Sequence, residues 1–105
     1  MPSRGEVVDQ LVRRIVACVD PLRIIVFGST ASGDAQPASD IDLLVVMPDG
    51  THRRKTARKL YVEISGVPLP FDVLVAIPRD LEKHRDNKGL IYRTILQEGT
   101  EVYAA

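Results

Sequence analysis

A single cysteine, a formal net charge of zero and no apolar run near the length of a bilayer set the first limits on this 105-residue chain. One thiol, Cys18, leaves no disulfide framework and no cysteine-rich zinc site, and it accords with a reducing cytoplasm. The 14 Lys and Arg residues balance 14 Asp and Glu, so bulk attraction to a nucleic-acid backbone or an anionic membrane is absent. Direct nucleic-acid binding is therefore not expected. No segment approaches the ~20 apolar residues of a membrane span, and Met1-Pro2-Ser3-Arg4-Gly5-Glu6 does not lead into a signal-peptide core. The expectation is a cytoplasmic protein with no membrane partner. Its length fits one domain, residues 1–105, with one ordinary core. What is present is the balance of a globular protein: 45% apolar and 27% charged residues.

Hydrophobic periodicity divides the chain without repeats or linkers. Val7, Val8, Leu11, Val12, Ile15, Val16 and Val19 form a stripe at helical spacing, which Pro21 ends. Arg23-Ile24-Ile25-Val26-Phe27 is short, β-branched and apolar without alternation, the pattern of a strand buried on both faces. Gly28-Ser29 breaks it, and a short helix begun at Ser29 can precede a polar loop carrying Gly33-Asp34 and Pro37. A second strand spans Asp40 to Val46, closed by the turn signal Met47-Pro48-Asp49-Gly50. Thr51 to Ser65 returns to helical period, with Ala57, Leu60, Tyr61 and Ile64 on one face. Phe71 to Ile77 is a third strand bounded by Pro78, and a last helix is predicted over Lys88 to Glu98, capped by Gly99. Three strands alternating with helices imply an α/β (α+β) domain, a small sheet with helices packed on it.

Three acids stand where folding alone would not put them. Asp40 and Asp42 open an otherwise apolar strand, and Asp72 is second in a strand of Phe, Val, Leu, Ala and Ile. Asp is disfavoured in strands, and burying it ionised without a partner costs several kcal/mol. Residues i and i+2 share a strand face about 6.6 Å apart, so Asp40 and Asp42 project together while Ile41 faces the core. Should Asp72 lie on a neighbouring strand at the same depth, the three converge. Two such charges at ~4 Å repel by about 4 kcal/mol at an effective dielectric near 20. A shared cation or a retained proton removes that conflict, and oxygen-only ligands select Mg²⁺ or Mn²⁺ over zinc. Each acid singly also has a plain structural reading, as a turn or cap residue at a strand start.

Gly28-Ser29 adds a tight turn in which backbone can approach a ligand and a hydroxyl stands ready. It lacks the Lys of a Walker loop and the full GxGxxG of a dinucleotide fold. Taken together, Gly28-Ser29, ten residues, Asp40-Ile41-Asp42 and a later strand acid at Asp72 resemble the DNA polymerase β-like nucleotidyltransferase superfamily. In detail the chain is similar to the minimal nucleotidyltransferases, short prokaryotic proteins that are often the antitoxin of a HEPN toxin. The likeness extends to the ending Ile91-Tyr92-Arg93-Thr94-Ile95-Leu96-Gln97-Glu98-Gly99.

That resemblance implies a small mixed sheet of the polymerase β-like fold and a metal-dependent transfer of a nucleoside monophosphate. By analogy, Gly28 and Ser29 would hold the β- and γ-phosphates of ATP. Asp40 and Asp42 would bind the Mg²⁺ bridging them, and Asp72 would complete a second Mg²⁺ site and help deprotonate the acceptor hydroxyl. Two ions then serve an in-line displacement at the α-phosphorus. The implied acceptor is a tyrosine of a partner HEPN toxin, since 105 residues leave little wall around a small substrate. One position departs from the family pattern: many relatives carry basic residues after Gly-Ser, where this chain has Thr30, Ala31 and Ser32. The triphosphate charge then falls to metal, backbone N–H groups or a basic residue from elsewhere. Two other functions fit the same residues: a non-catalytic antitoxin that neutralises a toxin by contact, and a small-molecule nucleotidyltransferase of the aminoglycoside-modifying kind.

Overall fold

The computed structural model describes residues 2–33, 39–84 and 91–105. Helix α1 (Arg4–Val19) begins in a capping box: Ser3 Oγ accepts from the Glu6 N–H at 3.1 Å, and the Ser3 N–H donates to Glu6 Oε1. Val7, Val8, Leu11 and Ile15, four members of its apolar stripe, are buried. Strand β1 (Arg23–Phe27) leads through Gly28 into the one-turn helix α2 (Ser29–Ser32). Strand β2 (Ile41–Val46), helix α3 (Arg53–Glu63) and strand β3 (Phe71–Ala76) follow. Asp40, the first residue of the predicted second strand, sits just outside β2; α2 begins at Ser29 as expected, and α3 is two residues shorter at each end than the predicted Thr51–Ser65.

Among the described residues the sheet has four strands, not three, in the order β3-β2-β1-β4 once β4 (Thr100–Ala104) is included. β1 pairs antiparallel with β2 and β4, and β2 pairs parallel with β3, so the sheet is mixed. Strand β4 is not among the three strands that the hydrophobic pattern predicts. It is short, mostly exposed, and shifts register beside Ile24 and Ile25, so no long apolar pattern announces it. A salt bridge of 2.5 Å from Arg23 Nε to Glu101 Oε1 ties it to β1. Helix α4 (Pro78–His84) is a second addition. Pro78 reads as a stop in the sequence, yet proline is favoured at the first helical position, where its missing N–H costs nothing. Helix α5 (Ile91–Glu98) accounts for the described part of the last predicted helix; residues 85–90, like the Asp34 and Pro37 loop, lie outside the described residues.

Strand alternation sorts the core into two layers. On one face Ile24, Val26, Ile41, Leu43, Val45 and Val75 pack against α1 and α3. On the other, Ile25, Leu44, Val46 and Ala76 pack against Leu81 of α4 and Ile95 of α5. Gly99 makes that second contact possible: a Cβ there would stand 2.6 Å from Ile25 Cγ2 and 2.5 Å from the Ile95 carbonyl oxygen. Cys18 is half-buried, and its thiol donates to Glu63 Oε2 at 2.9 Å. Burial first, then the Glu63 carboxylate, raises its pKa.

Candidate active site

Two of the three acids are paired directly, and the third acts on Asp42 through its charge. Asp42 and Asp72 are direct register partners across the parallel β2–β3 pair, so their side chains leave the same face one strand apart. Adjacent strands lie about 4.8 Å apart. Asp40 precedes Asp42 by two residues, while Ile41 between them is fully buried. Both Asp40 and Asp72 are exposed, whereas Asp42 is half-buried. Alternation places them on the α4–α5 face, at the end of the sheet beyond the apolar layer made with Leu81 and Ile95.

Asp42 carries the strain of this arrangement. Its pKa is raised above the ordinary carboxylate value, first by burial, then by the charge of Asp72, then by that of Asp40. Part of the burial has a visible source: half-buried Phe27 is its cross-strand partner on β1. Among the described residues no Lys, Arg or His forms an ion pair with any of the three. Gly28 closes the other side. Its backbone lies at φ 72°, ψ −150°, and an added Cβ would fall 2.5 Å from Asp42 Oδ2. Only glycine adopts that conformation readily. Gly28 and Asp42 thus lie against each other, main chain against carboxylate.

As placed, the described residues hold no group of three or more His, Cys, Asp or Glu side chains ready to bind an ion. The donor chemistry still fits a hard divalent cation. Asp42 and Asp72 offer oxygen donors from paired positions, and the carboxylate most resisting ionisation is the one a cation between them would relieve. The sequence concentrates positive charge in His52-Arg53-Arg54-Lys55 with Arg58-Lys59, at and along helix α3. His52, Arg53 and Arg54 line a cavity of about 650 Å³ beyond the C-terminal end of β2, the opposite end from Asp42. Arg53 there is engaged by both carboxylate oxygens of Asp80 at 2.7 Å. That part of the run does not face the acids. Local sequence windows also miss Arg4, whose Nη1 donates to Thr30 Oγ1 at 3.2 Å. The two are 26 residues apart, and only the packing of α1 brings them together.

A strand, a glycine-serine turn, an acid pair and a register-matched third acid thus stand at one end of the sheet. The chain belongs to the nucleotidyltransferase domain family, whose profile matches residues 8–102. Among solved structures, a Sulfolobus solfataricus protein classed with the nucleotidyltransferases superposes with a TM-score of 0.63 at 20% identity, covering 94% of this chain and 78% of its own. A chain from the crystal structure of a toxin-antitoxin with AMP-PNP gives a TM-score of 0.59 at 20% identity, covering 98% of this chain and 75% of its own. At that identity the likeness establishes the shared fold. No match was found among curated proteins.

Proposed function

We propose that the protein is a Mg²⁺-dependent adenylyltransferase that moves AMP from ATP to a tyrosine hydroxyl of a partner HEPN toxin and so acts as its antitoxin. The observation that carries this reading is the Asp42–Asp72 register pair with Gly28 backbone packed against Asp42. The Gly28-Ser29 turn would hold the β- and γ-phosphates, leaving the α-phosphorus beside the acids. Asp40 and Asp42 would hold one ion and Asp72 would complete a second site. When bound, the metal supplies charge neutralisation along the phosphate tail. Asp72, the exposed member of the register pair, would take the acceptor hydroxyl's proton as its oxygen bonds to the α-phosphorus and pyrophosphate leaves. An open site of this kind suits a protein acceptor that brings its own wall. The fold neighbour from a toxin-antitoxin with AMP-PNP is consistent with both the partner and the nucleotide.

The test is transfer of labelled AMP to the purified protein encoded beside this one, comparing wild type with Asp40→Asn and Asp42→Asn. Loss of label together with loss of protection in the variants supports catalysis. Variants that protect the partner as well as wild type would make the protein a contact antitoxin instead. Label appearing on an aminoglycoside but on no protein would move it to the small-molecule class.

A further inference from the structure

Five of the chain's 14 Lys and Arg residues fall within seven positions, Arg53 to Lys59, and no acid occurs between Asp49 and Glu63. Fourteen cations less these five leave nine against 14 acids, so α3 is a basic island on an otherwise acidic molecule. Arg53 is engaged by Asp80, but Arg54, Lys55, Arg58 and Lys59 are exposed and make no ion pair among the described residues. At 3.6 residues per turn these four and Val62 cover one arc of the helix, opposite buried Leu60. Val62, 74% exposed, is the most exposed large apolar side chain among the described residues, and it lies in the middle of that arc. We propose that this outward face of α3 docks the acceptor protein, which meets it with an acidic patch around an apolar centre.

The charge is a cost to the helix. Arg54 with Arg58 and Lys55 with Lys59 are like charges four residues apart, which destabilise a helix about as much as opposite pairs support it. Arg53, Arg54 and Lys55 also stand in the first turn, where the macrodipole favours acids. An acidic partner removes both penalties, and covering Val62 adds apolar contact at the centre of the patch, where interfaces gain most. A nucleic-acid backbone fits less well: it has no use for Val62, and the acidic remainder of the chain repels it. The far end of α3 leads towards the acids. Tyr61 stacks on Phe71 with ring centroids 5.6 Å apart, and its hydroxyl accepts from the Val73 N–H at 2.7 Å. Phe71 and Val73 flank Asp72 on β3, an edge strand of the described sheet. A protein seated on α3 therefore lies around one sheet edge from the carboxylates.

The inference rests on the transfer reading above, and docking measured beside labelling separates the two. Wild type, Lys55→Glu/Arg58→Glu, Val62→Asp and Asp42→Asn are titrated calorimetrically with the purified protein encoded beside this one, in low and high salt. Transfer of labelled AMP and thermal melts are read on the same samples. The double reversal and Val62→Asp should each weaken docking at least about tenfold, as loss of a charged or central apolar contact does. Salt should weaken docking of wild type more than that of the double variant. The double reversal turns both like-charge pairs into opposite ones, so its melting temperature should hold or rise. Asp42→Asn should dock like wild type and transfer no label. Docking and labelling unchanged in the double variant, or losses that track melting temperature, would overturn the docking face and leave the transfer reading standing. A wild type that docks through α3 yet labels nothing would overturn the transfer reading alone, and no complex at all would overturn both. A single-stranded RNA oligomer or a second copy of this chain that binds wild type and is lost in the double variant, with the acceptor unaffected, would overturn an acidic protein as the occupant.

Discussion

Replacing Asp72 by Asn should make the metal-free protein more stable, because its carboxylate faces that of Asp42 across one strand spacing. At about 5 Å two unit charges repel by roughly 3 kcal/mol at an effective dielectric near 20 and by roughly 0.8 kcal/mol in bulk water. Asp72 is exposed and Asp42 half-buried, so the lower end applies, about 1 kcal/mol. For a domain of this size that corresponds to a rise of about 5 °C in Tm. Circular dichroism melts in EDTA measure it directly. Repeating them in Mg²⁺ supplies the second half of the test. Metal held by the native state alone stabilises wild type by about 2.7 kcal/mol at a hundredfold excess over Kd, so the order of the two proteins should reverse. The reasoning fails if Asp72→Asn melts below wild type in EDTA, since the carboxylate would then be making a favourable contact rather than a repulsive one.

Three further outcomes follow from the same geometry. Because Asp42 is harder to ionise in the fold than in the unfolded chain, its stability contribution is present below the ordinary carboxylate pKa and is lost as pH rises through its raised value; denaturant titrations against pH should show that loss in metal-free wild type and not in Asp42→Asn. Gly28→Ala should cost about 1–2 kcal/mol from its backbone conformation alone, and it should abolish nucleotide transfer because the methyl would displace the Asp42 carboxylate. Gly99→Ala should cost about 1–3 kcal/mol by overpacking α5 against β1, while Mg²⁺-ATP affinity measured well below its Tm stays near that of wild type.

The parts of this molecule visible in its sequence are those whose pattern is local. The stripe from Val7 to Val19 and the apolar run from Arg23 to Phe27 became α1 and β1 with little change. The acids were legible because a carboxylate inside an apolar strand is costly, and two-residue alternation put Asp40 and Asp42 on one face before any partner was known. What could not be seen was pairing. Nothing in the chain states that β2 and β3 run parallel with Asp42 opposite Asp72, since register depends on the connection through α3 and on packing from both layers. Strand β4 was missed because an exposed edge strand needs no apolar alternation, and α4 because Pro78 both ends a strand and begins a helix. The Arg4–Thr30 contact lies beyond any window in which periodicity operates.

Binding of Mn²⁺ in the presence of AMP-PNP, followed by electron paramagnetic resonance, tests the proposed shared metal site most directly. Wild type should take up the ion with the nucleotide bound, and Asp40→Asn, Asp42→Asn and Asp72→Asn should each weaken uptake at least about tenfold, the usual cost of losing one carboxylate contact to a charged centre. Three variants that bind the ion as tightly as wild type would contradict the site.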